Sequence, residues 1–529
     1  MQFTSYLFLA FLGALFLVYY GLPKKWQWGV LLVGSYVFYA FAGLACLLFI
    51  ALTTLSAYLI SRWMGVGFRH EADYLASHRE ALDKESRKKY RAKMKKKRFC
   101  LLVIGLCLNF GVLAVLKYTG FAVYNLNSFL SLFSVKALSI PSLVLPMGIS
   151  FYIFQTMGYL IDVYRGKTEI ERNPLRLALF VSFFPQLVQG PISRHSDLSA
   201  ELFKPHDFDL KQVSSGLWRV LWGFFKKLVI ADRVLIPVKA LIEESDSYRG
   251  AYVVLLILLY SIQIYADFTG GIDMTIGIAE MFGIRLKENF NRPFSSHSTK
   301  EYWNRWHITM GTWFTDYVFY PLSVCKPMMK LSKWSRSALG NQLGKRIPVY
   351  LATIATWFLT GLWHGAGWNF IVWGLLNCLV ILVSQELEPL YLRFRTKFPK
   401  LHGSWGYGKW MAIRTFLLMG LIRSLDCYRD VGLTFKLWGS MVNLSNLPQM
   451  FSDCFGGKWL SVADWIAVGL GCALCFAVSS ISARGSVRER LWKRPVLSAV
   501  LFFGLLSVVL LFGIYGIGYD ASEFIYKQF

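Results

Sequence analysis

Two histidines stand where an imidazole is costly unless it is used. His364 lies within the apolar run Trp357-Phe358-Leu359-Thr360-Gly361-Leu362-Trp363-His364-Gly365-Ala366-Gly367-Trp368-Asn369-Phe370, and His307 closes the aromatic segment Tyr302-Trp303-Asn304-Arg305-Trp306-His307. An ionisable side chain at membrane depth is a functional-site hypothesis by default. Burial also favours the neutral imidazole, which is the form a general base requires. The other six have plainer settings: His70 and His78 in a charged insertion, His195, His206 and His402 in loops, and His297 among serines. The stretch between His307 and His364 leaves room for an in-plane or re-entrant helix and then one crossing, so both rings can reach one depth. The competing reading makes His364 a structural donor to a carbonyl and places His307 in a polar belt with Asn304, Arg305 and Thr309.

Other chemistry has less support. Asp162, Asp267, Asp273 and Asp316 lie near either histidine or a span edge and could orient a ring, although carboxylates near a membrane interface usually cap helices or pair with cations. No Gly-Xaa-Ser-Xaa-Gly elbow, HExxH metal pair or phosphate loop occurs. The nine cysteines are scattered through apolar runs without metal-ligand spacing, and Cys472 and Cys475, a lone CxxC, read as small apolar filler.

The elements that must position the histidines are membrane helices. The 529 residues are 55% hydrophobic and 17% aromatic. Apolar cores recur at 5–21, 27–44, 46–63, 99–117, 143–163, 174–191, 250–269, 348–364, 368–385, 408–424, 461–480 and 496–518. Allowing for some that are re-entrant or interfacial, the rule of about 20 residues per crossing predicts roughly ten spans. The first run lacks a cleavage site and is followed at once by others, so it reads as a retained helix. A net charge of +26 would suggest nucleic acid in a soluble domain, but here the basic residues lie between spans, where they set orientation.

The strongest orientation marker is Lys84–Arg98, in the basic insertion 65–98: ten Lys or Arg against one Glu. The positive-inside rule makes it cytoplasmic, which puts the N-terminus and the Phe41-Ala42-Gly43 turn outside and Lys24 and Lys25 inside. The run could also bind donor phosphates or anionic headgroups; as a topology signal it needs no ligand. Residues 205–245 read as an amphipathic interfacial helix, with Leu217, Trp218, Val220, Leu221, Phe224 and Phe225 interleaving with Arg219, Lys226 and Lys227. Residues 283–320 are too polar and aromatic to face lipid and are expected to line a cavity. No repeat or soluble domain is apparent, so 1–529 reads as one membrane domain with core motifs at 265–375.

Those motifs carry a resemblance. Tyr265-Ala266-Asp267-Phe268-Thr269-Gly270-Gly271, Asn289-Phe290-Asn291-Arg292-Pro293-Phe294, Tyr302-Trp303-Asn304-Arg305-Trp306-His307 and Gly361-Leu362-Trp363-His364-Gly365, in that order, resemble the membrane-bound O-acyltransferase family. Its branch with the membrane subunit of bacterial alginate O-acetyltransferase and related polysaccharide and peptidoglycan O-acetyltransferases is the most similar. Phe184-Pro185-Gln186-Leu187-Val188-Gln189-Gly190-Pro191, Arg423-Ser424-Leu425-Asp426 and Glu523-Phe524-Ile525-Tyr526 also look familial.

The resemblance implies an all-α ring of ten or more transmembrane and re-entrant helices around a tunnel, entered by a thioester donor from the cytoplasm and by an acceptor from the other face. The family's catalytic histidine maps onto His364 and its second polar position onto His307. Trp303, Asn304, Arg305, Trp306, Trp363, Asp267, Asn291 and Gln189 would line the tunnel. The expected activity is transfer of acetyl from acetyl-CoA, with no permanently bound cofactor or metal, toward hydroxyls of an extracytoplasmic polysaccharide. The protein would sit in the bacterial inner membrane and hand the acetyl group to an extracytoplasmic SGNH-type esterase-like partner. D-alanyl or longer acyl transfer from a carrier protein is the alternative. A transporter or scaffold would call for inverted repeats, and none is seen.

Overall fold

A segment crossing hydrocarbon must satisfy every backbone N–H and C=O within itself or a closed barrel. Helices do this, and the computed structural model, which describes residues 1–516 and 519, carries helices and one isolated antiparallel bridge between Phe290 and Trp306. The motif Glu523-Phe524-Ile525-Tyr526 lies outside the described residues. Among those described, six helices are long and apolar enough to cross a membrane: Leu44–Ser77, Lys84–Ser131, Ala251–Met281, Trp368–Glu386, Val462–Ser482 and Pro495–Phe512. The chain is a multi-pass membrane protein.

The roughly ten spans expected from apolar runs are fewer by this measure, for local reasons. The run at 174–191 breaks at Phe183, where ψ is 105° and Pro185 follows, into Pro174–Ser182 and Phe184–Leu187. The run at 143–163 yields only Ile149–Arg165, because Gly148 turns left-handed (φ 72°) before it. The run at 348–364 is the end of a longer helix kinked at Gly340.

By contacts the chain forms two compact units, one of residues 1–213 and 278–287, the other of residues 214–277 and 288–529. In the first, α1 (Tyr6–Gly21), α2 (Gln27–Ala40), α3 (Leu44–Ser77), α4 (Lys84–Ser131), α5 (Ile149–Arg165) and α6 (Pro174–Ser182) pack together. Asp83 caps α4 by accepting from the backbone N–H of Ser86 and Glu85. At about 1.5 Å per residue, the 48 residues of α4 reach roughly 70 Å, about twice the hydrocarbon thickness. The basic run is therefore not a loop; it forms the first turns of a continuous helix. Arg98, at the junction, is buried by an ion pair to Glu71 at 2.7 Å and by the face of Phe68.

The second unit is built around α9 (Ala251–Met281), whose apolar window is 72% buried, against 6% for α16 (Pro495–Phe512). Beside it run α7 (Leu210–Phe224), a π-helical turn over Phe225–Ala231, and α8 (Asp232–Glu243). Then follow α10 (Thr299–Arg305), α11 (Ile308–Phe314), α12 (Lys326–His364), α13 (Trp368–Glu386), α14 (Trp405–Tyr428) and α15 (Val462–Ser482). The expectation of an interfacial amphipathic helix over 205–245 is not met over Phe225–Ala231. Every residue of Phe225–Ala231 is buried, Lys226 and Lys227 included. The reason is charge pairing that the local sequence cannot show. Lys227 Nζ lies 2.7 Å from both Asp232 and Asp267, and Lys226 Nζ 2.5 Å from Asp273, which also pairs with Arg219. Two glycine contacts permit that approach: a Cβ on Gly223 would sit 2.6 Å from the Gly270 carbonyl oxygen, and one on Gly277 2.7 Å from that of Gly216.

Candidate active site

Local chemistry fixes the backbone that presents His307. Ser298 caps α10 by accepting from the Glu301 N–H, and the Glu301 carboxylate accepts from the His297 N–H. After one short helix the chain extends at Trp306, pairs with Phe290, and turns left-handed at His307 (φ 48°, ψ 52°), which is the N-cap of α11. Arg292, flanking the bridge on the other segment, is also left-handed at φ 48°. A non-glycine residue held there costs on the order of 1–3 kcal/mol and persists only where its surroundings over-determine it. Two backbone bonds across the bridge supply that constraint, from Asn291 N–H to the Arg305 carbonyl at 2.9 Å and from Ile308 N–H to the Asn289 carbonyl at 3.0 Å.

The His307 ring is 1% exposed. Phe268 of α9 packs edge-on against it, with centroids 4.9 Å apart, and its Nδ1 lies 3.3 Å from Asn289 Oδ1. Burial lowers the ring's pKa from its ordinary value to about 3, so it is neutral at physiological pH.

His364 is reached from the other direction, as the last residue of α12, before the non-helical Gly365–Gly367 link to α13. Its position depends on two helices meeting closely. A Cβ on Gly361 would lie 2.4 Å from the Phe370 carbonyl oxygen, and one on Gly374 2.5 Å from that of Trp357. The missing Cβ of Gly367 makes room for the Asn369 amide. His364 is half-buried, with its ring 4.6 Å from Trp373 and 5.0 Å from Trp363. Trp363 lies 6.0 Å from His307 as well, so one indole contacts both imidazoles.

The remaining residues singled out from sequence divide. Trp303 packs on Trp373 and Trp357 and donates to Asn377 Oδ1 at 3.3 Å, and Trp306 is buried beside Phe268. With Trp363 they form one aromatic wall around the two histidines. Arg305 is paired with Glu301 at 2.6 Å, and Asn304 and Asn291 are exposed. Asp267 is fully buried in its ion pair with Lys227, and Gln189, also buried, belongs to the first unit. Three residues of the site have no counterpart among the sequence candidates. Asn289 stands two residues before Asn291 in a motif already noted, Trp373 contacts His364, and Arg423 lies 4.2 Å over the Trp306 ring while donating to the Tyr302 hydroxyl at 3.0 Å. Among the described residues no group of three or more His, Cys, Asp or Glu could hold a metal ion.

The membrane-bound O-acyltransferase family matches residues 171–425. The chain is 36% identical over 396 residues to a probable alginate O-acetylase of Azotobacter vinelandii, covering 73% of this chain and 69% of that one. It is 32% identical over 326 residues to a peptidoglycan O-acetyltransferase of Helicobacter pylori (57% and 58%) and 28% identical over 323 residues to a teichoic acid D-alanyltransferase of Bacillus subtilis (55% and 78%). The chain belongs to the membrane-bound O-acyltransferase family and is an acyltransferase of O-acetyltransferase type.

Proposed function

We propose that this enzyme takes an acetyl group from a cytoplasmic thioester, acetyl-CoA, and moves it toward hydroxyls of an extracytoplasmic polysaccharide across the bacterial inner membrane. The observation that carries the reading is the pair of imidazoles brought to one indole, Trp363, from two separate helical segments. His364 removes the proton from the attacking hydroxyl as that oxygen adds to the thioester carbonyl; the C–S bond then breaks and CoA leaves as the thiol. His307 orients the reacting group. General-base help of this kind is worth about 10²–10⁴-fold, and the aromatic wall adds by excluding water and holding two reactants together. Trp303, Trp306 and Trp363 line the path of the substrates. An SGNH-type extracytoplasmic partner receives the acetyl group and completes delivery to the polymer.

The identity to alginate and peptidoglycan O-acetylating relatives supports acetyl as the group moved. The D-alanyltransferase match supports the second reading, carrier-borne D-alanine. The test is release of CoA by purified protein from acetyl-CoA, against transfer from D-alanyl carrier protein, each with and without the partner. Acetyl-CoA should turn over slowly alone and faster when the partner or its acceptor hydroxyl is added. Turnover of only the D-alanyl donor overturns the acetyl reading, and rapid acetylation of a defined polysaccharide by this chain alone overturns the partner.

Orientation has its own test. With Cys100 and Cys107, both exposed, replaced by serine, a cysteine in Lys84–Arg98 should be labelled only from the cytoplasmic side and one near Gly43 only from outside. Reversed labelling would move the donor to the opposite face.

A further inference from the structure

One oxygen beside His307 receives three contacts. Asn289 is fully buried, and the bridge between Phe290 and Trp306 lays its segment alongside the turn that carries the histidine. Asn289 Oδ1 accepts from the Thr309 backbone N–H at 3.0 Å and from the Thr309 hydroxyl at 2.9 Å, and it lies 3.3 Å from His307 Nδ1. The two ends of a carboxamide are alike in shape, so their assignment has to come from hydrogen-bond partners. Here a partner decides it: a backbone N–H can only donate, so the Asn289 atom facing Thr309 is the oxygen. A bare nitrogen on the imidazole would then set lone pair against lone pair, whereas Nδ1 carrying the hydrogen makes a third bond to the same acceptor. A neutral imidazole has one N–H, and if it is on Nδ1 the lone pair is on Nε2.

We propose that Asn289 is a positioning residue that fixes His307 as the Nδ1–H tautomer, so that Nε2 presents a lone pair to the reacting groups. This rests on the role given to His307 above and narrows it. A ring in this tautomer can accept a hydrogen bond or a proton at Nε2 and cannot donate from it. It therefore cannot serve the thioester carbonyl oxygen, which needs a donor, and it takes a hydrogen bond or a proton only from a donor other than the hydroxyl hydrogen that His364 removes. Thr309 belongs to the same device, because its two donors hold the amide the right way round.

The test reads the tautomer directly, by ¹⁵N NMR of the full-length protein labelled at histidine, with the His307→Asn variant identifying the ring's signals by their loss. The wild type should show His307 protonated at Nδ1. Asn289→Leu, similar in size but without an acceptor, should move the proton to Nε2 or give a mixture, with kcat falling about ten-fold or more and KM nearly unchanged. Asn289→Asp keeps the acceptor and should keep the tautomer. A wild-type ring protonated at Nε2, or a tautomer unmoved in Asn289→Leu, overturns the proposal. Should Asn289→Leu not fold, the wild-type tautomer and that of Asn289→Asp still decide. If the tautomer responds as expected while His307→Ala retains full transfer, the catalytic reading of His307 fails and the positioning inference stands.

Discussion

Two of the places where the second unit buries polar side chains do so by opposite means. Around Lys227 the groups are ionised and matched: Lys227 with Asp232 and Asp267, Lys226 and Arg219 with Asp273, and Arg219 again with Glu288 at 2.5 Å. Around His307 and His364 the partners include aromatic rings and one carboxamide. Removing a charge from water costs several kcal/mol per ion unless an opposite charge and hydrogen bonds repay it, so the first place is committed to pairing and has little freedom left for a substrate. An imidazole buried neutral carries no such obligation. It holds a lone pair that can accept a proton, and its surroundings exclude water. The contrast separates groups that hold the helices together from groups available for reaction, although both looked equally polar in the chain.

Breaking each place should therefore fail differently. The largest effect is expected from His364→Ala: transfer should fall by about 10²–10⁴-fold while the protein inserts and purifies normally. Normal transfer per folded molecule with poor yield would assign the ring to structure. His307→Ala should also be severe, and His307→Asn milder, because an amide replaces hydrogen bonding but not proton transfer. Equal losses in the two would mean that His307 itself moves a proton.

At the paired charges the loss should appear in stability. Lys227→Met leaves Asp232 and Asp267 buried without their shared cation, at about 3–5 kcal/mol, measured as thermal unfolding in detergent. Lys226→Met should cost less, about 1.5–3 kcal/mol, the worth of a charge-assisted bond. Asp273 keeps Arg219 at 2.9 Å, and the Thr269 hydroxyl keeps its bond to the Tyr265 carbonyl. A larger cost for Lys226→Met than for Lys227→Met would reverse this ranking.

The sequence carried most of the site's aromatic residues and much less of its polar support. His307, His364, Trp303, Trp306 and Trp363 could be read because bulky rings and an imidazole in an apolar run are unusual in composition alone. The roles of Trp373 and of Asn289 and Arg423, the last two inside motifs of the resemblance, could not, because each comes from a contact that only the fold sets: Asn289 through the bridge to Trp306, Trp373 through the tight link between α12 and α13, Arg423 through the face of Trp306. The same limit explains Lys226 and Lys227. Two lysines beside phenylalanines have the pattern of an interfacial helix, and the carboxylates of α9, with Asp232 of α8, turn them inward. Apolar length likewise announced membrane helices but not where they break, since Gly148 and Phe183 interrupt runs that hydropathy treats as continuous.

The smallest expected effect sharpens the contrast at the neutral ring. Because burial depresses the pKa of His307, the unfolded chain takes up a proton below about pH 6.5 that the folded chain refuses. The stability contributed by the neutral ring is thus fully present above that pH and is lost as pH falls toward the folded value, by up to about 1.4 kcal/mol per pH unit. His307→Asn has no proton to refuse, so its stability should fall less steeply between pH 6 and 5. The difference in slope is the measurement, because each variant's absolute stability also includes lost packing. Other depressed imidazoles, such as His195 and His206, contribute equally to both proteins and cancel. Parallel slopes would mean that the His307 ring is charged in the folded state or exchanges freely with water, and in either case it could not serve as a neutral acceptor in a dry site.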